Sequence, residues 1–170
     1  MAGLVADTSA LVSLGIVSDS DPSPLSLCLD GYAVFVPNAV IEELEEIASY
    51  DDKHGQAATA VLDRTAELTV HSVALDAAFP LDDGENAAVT LANEIDATLF
   101  LCDEFNSLGL IHASLADTRL VTTPTLLSVF VRMGRLTPDD ARTLLDDIST
   151  ARSWDANSYV QRTRSLLDDS

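Results

Sequence analysis

The chain begins with a short apolar run that restricts the fold it can adopt. Residues 2–6, Ala-Gly-Leu-Val-Ala, are continuously apolar and are followed directly by Asp7. An unbroken apolar run of this length is typical of a strand buried on both faces, as in a parallel sheet. Because ligands of open α/β sheets bind outside the carboxyl ends of the strands, Asp7 lies where a functional site is expected.

A second predicted strand ends in the same way. Residues 98–102 form another largely apolar run, and Asp103 follows it. If the two strands are parallel neighbours, both aspartates lie at the same edge of the sheet. Each aspartate alone is explained equally well as a cap for the helix after its strand. Two such aspartates together favour a shared site.

The remaining pattern alternates strands with helices, which indicates an α/β fold: a three-layer sandwich with a mostly parallel central sheet. No repeat or linker interrupts it, so we expect one domain over residues 1–170, with a core at 1–134 and a C-terminal helical extension at 135–170. Asn38 and Thr123 are predicted to cap the helices that follow them. The predicted strands are 2–6, 32–36, 68–73, 98–102 and 119–122.

The formal charge of −19, with Lys53 as the single lysine, is the most prominent bulk property. Such a surface repels nucleic-acid backbones at ordinary salt, because nucleic-acid binding draws on basic side chains. A salt-rich cytoplasm offers another explanation, since molar salt shrinks the screening length to roughly 3 Å and mutes self-repulsion. We favour this halophilic origin, which predicts that the protein loses structure on dialysis to low salt.

Several function classes lack support in the sequence. No apolar segment approaches the roughly 20 residues that cross a bilayer, so a soluble, cytoplasmic protein without a membrane partner is expected. Cys28 and Cys102 are too few and too far apart for a disulfide framework or a zinc site, and are interpreted as small core residues. His54, His71 and His112 show no ligand spacing, and the chain lacks a glycine-rich phosphate loop. The carboxylates therefore carry the main chemical signal.

Two helices carry glutamates at the border between core and solvent. In the first helix, Glu43 and Glu45 flank the apolar stripe on opposite sides, and helical periodicity does not choose between them. Glu85 lies in the first turn of a later helix, where Asp82 three residues before it also resembles part of a capping box. On the predicted topology these glutamates meet the two strand-ending aspartates at one edge of the sheet.

A cluster of carboxylates needs a positive charge. Carboxylates in one crevice repel each other and raise each other's pKa values unless a cation neutralises them. Hard divalent ions with oxygen ligands, Mg²⁺ or Mn²⁺, suit such a site. One or two of these ions activate water and stabilise charge on a phosphoryl oxygen, which indicates a metal-dependent nuclease or phosphatase.

Five short segments follow one another in a distinctive order and spacing. They are Val5-Ala6-Asp7-Thr8-Ser9, Val36-Pro37 with Val40 to Leu44, Leu81 to Ala88, Leu101-Cys102-Asp103-Glu104 and Val121 to Pro124. Together they resemble the PIN domain family, small α/β nucleases that include the toxins of prokaryotic toxin–antitoxin pairs, and the tail at 152–167 is similar to that of one prokaryotic branch. The resemblance implies a PIN-like fold and an Mg²⁺- or Mn²⁺-dependent ribonuclease with RNA as its substrate.

The family's acidic site falls on four carboxylates of this chain. The family pattern includes a glutamate followed by leucine, which selects Glu43 over Glu45. The resemblance implies that four residues bind the metal and are catalytic: Asp7, Glu43, Glu85 and Asp103. It implies that four neighbours support the metal, a phosphate or the acidic set: Thr8, Ser9, Asp82 and Glu104.

One departure from the family pattern concerns RNA binding. Related sequences often carry basic residues after the Asp-Glu pair, whereas Phe-Asn-Ser-Leu occupies residues 105–108 here. Arg119, Arg132 and Arg135 are candidate replacements for the missing phosphate-binding cation. A non-catalytic PIN-like binding or scaffold module is therefore the alternative function.

The resemblance also suggests protein partners. Toxin-type relatives pair with a small antitoxin protein and often dimerise, so an antitoxin and a homodimer are both candidate partners. Val129, Phe130 and Met133 lie near the end of a predicted helix, where they suit a dimer contact or ordinary core packing equally well.

Overall fold

A computed structural model describes residues 1–169, which contain one sheet of five parallel strands. The strands are β1 Gly3–Ala6, β2 Ala33–Pro37, β3 Thr69–His71, β4 Leu99–Leu101 and β5 Arg119–Val121. Their order in the sheet is β3-β2-β1-β4-β5, so the N-terminal strand lies at the centre and β3 is an edge strand. The predicted parallel α/β sheet is confirmed, and all of its strand pairs are parallel.

Helices connect the strands and cover the sheet. In residues 1–169 they are α1 Thr8–Ile16, α2 Pro24–Gly31, α3 Asn38–Ala48, α4 Lys53–Leu62, α5 Asp83–Glu94, α6 Leu108–Ser114, α7 Thr123–Arg132, α8 Pro138–Arg152 and α9 Ser158–Asp168. Right-handed crossovers place α1 to α4 on one face and α5 and α6 on the other. The packing of α1 and α3 against α4, and of α5 across β1, β2 and β4, agrees with this arrangement. The C-terminal helices α8 and α9 pack on α7, and α8 also contacts α1.

The central strand is fully enclosed, as its composition predicts. Leu4, Val5 and Ala6 have no exposed surface. Ala6 pairs with Leu101 of β4, and the N–H of Asp7 donates to the Leu101 carbonyl at 2.9 Å. This register aligns the ends of β1 and β4, so the aspartates that follow these two strands lie at the same edge of the sheet.

Two predicted helix caps are wrong. Asn38 is the first residue of α3 rather than its cap, and its amide donates to the Ser72 hydroxyl at 2.9 Å. Pro37 occupies the cap position and offers no side-chain bond. Thr122, not Thr123, caps α7. In both places the strand runs almost directly into the helix, so the helix begins one residue earlier than capping preferences suggest.

Burial separates the core from the candidate contact residues. Cys28 and Cys102 are buried free cysteines, as predicted. Phe130 is also a core residue, whereas Met133 is 54% exposed, so Phe130 is not available for a dimer surface.

No helix within residues 1–169 is both long and apolar enough to span a bilayer.

Candidate active site

Asp7 is held at the carboxyl end of β1 by two side-chain donors. The Ser9 hydroxyl donates to Asp7 Oδ2 at 3.1 Å, and the Cys102 thiol donates to the same oxygen at 3.4 Å. Asp7 is only 3% exposed, and it precedes α1 without making a side-chain capping bond to that helix. Capping of its own helix therefore does not explain this aspartate.

Asp103 lies beside Asp7 and shares Ser9 with it. The N–H of Asp103 donates to Ser9 Oγ at 3.0 Å, so one hydroxyl group joins the two strand ends. Asp103 Oδ1 accepts the N–H of Thr123, the first residue of α7, at 2.7 Å. Its second oxygen, Oδ2, is buried without a hydrogen-bond partner among the described residues.

Glu43 reaches the same edge of the sheet from α3. Its Oε1 atom is buried and has no hydrogen-bond partner in the described part of the chain. The carboxylate lies against Gly84 in the first turn of α5, so close that a Cβ atom on Gly84 would overlap it. Glu45, by contrast, is exposed on the outer side of α3. Helical periodicity does not distinguish Glu43 from Glu45, but the packing of α3 against α5 brings Glu43 to this edge of the sheet and leaves Glu45 outside.

Glu85 enters the site from α5, next to its cap. The Asp82 carboxylate accepts the N–H of Glu85 at 2.8 Å, so Asp82 does cap α5. The Glu85 side chain itself is buried, at 7% exposure. Glu85 therefore has both roles: its backbone N–H completes the helix cap, and its side chain belongs to the acidic cluster.

A pocket of about 190 Å³ gathers most of the predicted site residues. Asp103 does not line it, but is joined to it through Ser9. All eight predicted site and support residues thus lie at this one edge of the sheet. We call this cavity the acidic pocket, and its lining residues are Asp7, Thr8, Ser9, Glu43, Asp82, Glu85 and Glu104.

The pocket disfavours the charged forms of its own carboxylates. Burial raises the pKa of Asp7 to about 6, although donors from Ser9 and Cys102 oppose the shift. Burial, followed by the charges of Asp7 and Asp82, raises the pKa of Glu43 to about 7. Burial, followed by the hydrogen bond and charge of Asp82, raises the pKa of Glu85 to about 8. Several carboxylates therefore pay a desolvation and repulsion cost at neutral pH.

The donor set fits a hard divalent cation. The pocket offers carboxylate and hydroxyl oxygens, two of which, Glu43 Oε1 and Thr8 Oγ1, are buried without partners in residues 1–169. Such oxygens are the ligands that Mg²⁺ and Mn²⁺ prefer. Within the same residues, no three acidic, histidine or cysteine side chains already stand around one point at which a metal ion would be held. The ligand chemistry is thus present, in an open arrangement.

Arg152, the last residue of α8, is a site neighbour for which sequence reasoning gave no role. Its guanidinium donates to the Ser9 carbonyl at 2.7 Å and to Ser13 Oγ at 3.1 Å, and lies over the Trp154 ring at 5.6 Å. Burial raises the pKa of Asp103, while hydrogen bonds from Thr123 and Ser13, and then the positive charge of Arg152, oppose that shift. A half-buried cation therefore lies behind the acidic cluster and favours the ionised form of Asp103.

The sequence indicates some of the other site neighbours and gives no sign of others. Cys102 directly precedes Asp103, and Gly84 directly precedes Glu85, so adjacency to a site residue was a usable signal for both. Arg152 contacts Ser9 across 143 residues of chain, and nothing in the local sequence points to that contact.

Comparison with known families agrees with this geometry. A family model described as a PIN domain matches residues 3–169, nearly the whole chain. The chain belongs to the PIN domain family. The match extends through α8 and α9, so the C-terminal helices of this PIN domain are part of the family pattern. Searches of curated proteins and of solved structures found no match.

Membership confirms the family resemblance and defines a coarse functional class. PIN domains are generally nucleases, and they usually use divalent metal ions. This PIN domain accordingly carries its carboxylates at the carboxyl edge of a parallel sheet, where that class of chemistry is expected.

Proposed function

We propose that this PIN domain is an Mg²⁺- or Mn²⁺-dependent endoribonuclease that hydrolyses RNA phosphodiester bonds. One observation carries the proposal: carboxylates from β1, α3 and α5 converge on a single small pocket that raises their pKa values. Buried like charges with strongly shifted pKa values are typical of functional sites. A divalent cation would compensate for the repulsion that Arg152 offsets only in part.

The four acidic residues have different mechanical roles in this proposal. Asp7 and Asp103 are fixed by hydrogen-bond donors and form the rigid side of the site. Glu43 and Glu85 project into the pocket from α3 and α5 and would supply the remaining carboxylate ligands. Bound there, Mg²⁺ or Mn²⁺ supplies charge stabilisation at phosphoryl oxygens and lowers the pKa of water.

Hydroxyl groups and Arg152 complete the site. Ser9 links the two aspartates, and the Thr8 hydroxyl, which faces the Glu43 carboxylate, would donate to a phosphate oxygen. Arg152 keeps a fixed positive charge behind Asp103, which favours the ionised carboxylate that a metal needs. Asp82 and Glu104 act as outer acidic neighbours.

The finer assignment is a toxin with a small antitoxin partner, in a salt-rich cell. A homodimer also belongs to this proposal, with Met133 as an exposed apolar contact. The alternative is a non-catalytic scaffold. It is favoured by the absence of basic residues at 105–108, directly after the Asp-Glu pair.

The test is cleavage of RNA at high salt with Mn²⁺, comparing the intact protein with Asp7→Asn. We expect the variant to lose at least about 100-fold in rate, because a fixed metal ligand is removed. The exposed Asp83, one residue from the cap of α5, supplies the matched control Asp83→Asn. Equal cleavage by the intact protein and Asp7→Asn would mean a contaminating nuclease, and no cleavage by any protein would favour the scaffold.

A binding measurement separates metal from catalysis. Mn²⁺ should raise the melting temperature of the intact protein and of Asp83→Asn, because a ligand that binds the native state stabilises it. The same addition should leave Asp7→Asn nearly unchanged. A uniform shift for all three proteins would indicate surface screening rather than a site.

A further inference from the structure

A second concavity, of about 780 Å³, lies along the outer side of β5 between α6, α7 and α9. We call it the arginine groove. Its apolar surface includes Leu108, Val121 and Val131, and its charged surface is formed by Arg119, Arg132 and Arg162. Two of these arginines were candidate phosphate contacts on sequence grounds, while Arg162 was not; the third candidate, Arg135, does not line the groove.

The arginines of the groove lack internal partners. Arg64, Arg142 and Arg164 each form an ion pair with a nearby carboxylate. The side chains of the three groove arginines form no ion pair or hydrogen bond within residues 1–169, although the chain carries 28 acidic residues. Exposed cations that remain unpaired in so acidic a protein indicate an external anion.

An aromatic stack links the groove to the acidic pocket. Tyr159 lines the groove and is 44% exposed. Its ring stacks on Phe105 at 5.4 Å with an interplanar angle of 11°, and Phe105 directly follows Glu104 of the acidic pocket. Phe105 is braced by an edge contact with Trp154 at 4.9 Å. The stacked pair thus leads from the exposed Tyr159 in the groove toward the acidic pocket.

The groove also reaches the fixed side of the acidic site. Thr122 and Thr125, at the start of α7, line the groove. Between them, the N–H of Thr123 holds Asp103. The groove therefore reaches the start of α7, whose first N–H holds Asp103 at the carboxyl edge of the sheet.

We propose that the arginine groove binds a single-stranded RNA segment next to the cleavage site, with arginines at its phosphates and Tyr159 stacked on a base. This rests on the proposed ribonuclease function. A basic groove with exposed aromatic rings is the usual arrangement for sequence-tolerant binding of single strands. An acidic protein segment would satisfy the arginines, but it would not explain the aromatic step that leads to the acidic pocket.

Binding is tested first without cleavage. A fluorescently labelled single-stranded RNA of about 12 nucleotides is titrated with the protein in EDTA, and its anisotropy is followed over a range of salt. Replacing two phosphate contacts in Arg132→Gln/Arg162→Gln should make the dependence of log affinity on log salt shallower by about 1.4. Tyr159→Ala should weaken binding about tenfold, whereas Tyr159→Phe should bind as the intact protein does.

The matched control carries the same change in net charge. Lys53→Gln/Arg164→Gln removes one remote cation and one that lies on the same helix as Arg162 but pairs with Asp146. We expect this control to keep the salt dependence of the intact protein, apart from a small uniform shift. Equal loss in both double variants would show that only net charge matters and would overturn the proposal.

Two further experiments identify the ligand of the groove and test groove binding independently of ribonuclease activity. Poly-glutamate that competes as well as RNA of equal charge would assign the groove to acidic protein segments and overturn the RNA assignment. In Mn²⁺, the groove variants should raise KM for RNA cleavage and leave kcat nearly unchanged. If no protein cleaves RNA, the proposed function fails while the EDTA titration still reports on the groove.

Discussion

The acidic pocket and the arginine groove both hold charged side chains that form no ion pair within residues 1–169, but the two sites differ in burial. The pocket encloses Asp7 and Glu85 at 3% and 7% exposure, whereas all three groove arginines are exposed. Exposed charges keep most of their hydration and cost little, while buried charges lose it. The charges of the pocket therefore lower the free energy of unfolding, whereas those of the groove hardly change it. Removing a charge should therefore change folding stability in the pocket and leave it nearly unchanged in the groove.

The largest test of this difference between pocket and groove is to neutralise Asp7 without changing the shape of its side chain. Its pKa is raised from an ordinary 3.8 to about 6 by burial, so the folded state binds the proton more tightly than the unfolded chain. The stabilising contribution is present below about pH 4 and is lost as the pH rises through about 6. We expect metal-free Asp7→Asn to be more stable than the intact protein at pH 8, by about 3 kcal/mol.

Urea unfolding in EDTA at constant molar KCl measures this gap. The gap should shrink toward pH 4, where the folded carboxyl group is protonated and the unfolded one is about half protonated, and it should close below about pH 3. Asp83→Asn, which neutralises an exposed residue of the same helix turn as Glu85, should show no comparable gap. A less stable Asp7→Asn at pH 8 would mean that the buried charge is already compensated within the chain.

The sequence predicted the two aspartates that follow strands better than the two glutamates on helices. Asp7 and Asp103 were accessible because a buried strand determines where its next residue lies. Glu43 was not distinguishable from Glu45 by periodicity, since the choice depends on which neighbour α3 packs against, a long-range contact. The position of Arg152 was inaccessible for the same reason. Thr122 illustrates the limit of local signals, because capping preference alone placed the start of α7 one residue too late.

The next largest effect should come from Arg152, the one arginine that is built into the acidic side. Arg152→Met keeps an apolar stem but removes the donors to the Ser9 carbonyl and Ser13 Oγ, and the charge behind Asp103. We expect the free energy of unfolding to fall by about 2 kcal/mol, since hydrogen bonds from charged groups contribute about 1.5–3 kcal/mol each and desolvation offsets part of this. Arg162→Met in the groove should stay within about 0.5 kcal/mol of the intact protein.

Unfolding by urea at one fixed pH and salt concentration compares the two methionine variants directly. They lose the same charge from helices that pack against each other, so net charge does not distinguish them. Equal destabilisation would contradict the division between a buried acidic site and an exposed groove. Equal and negligible changes would show that Arg152 is not part of the structural support.

The smallest change concerns one missing methyl group. Gly84 has no side chain, and the Glu43 carboxylate occupies the space that a Cβ atom would take. In Gly84→Ala the carboxylate must swing away from α5, because it is the flexible end of a side chain and the helix backbone is not. Alanine is favoured over glycine in a helix by about 0.5–1 kcal/mol, so the stability of the fold should change little. The position of the Glu43 carboxylate, a proposed metal ligand, should however change.

We therefore expect Gly84→Ala to weaken Mn²⁺ affinity about tenfold, the size of effect seen when the support of a metal ligand is disturbed, with a melting temperature close to that of the intact protein. Calorimetric titration with Mn²⁺ measures the first quantity and thermal unfolding in EDTA the second. Gly31→Ala is the matched control, because a Cβ atom at Gly31 meets nothing within 4 Å. An unchanged Mn²⁺ affinity in Gly84→Ala would mean that Glu43 is not a ligand, since its carboxylate would have been displaced without consequence. Loss of Mn²⁺ affinity without loss of stability would instead show that Gly84 is needed for the metal site and not for the fold.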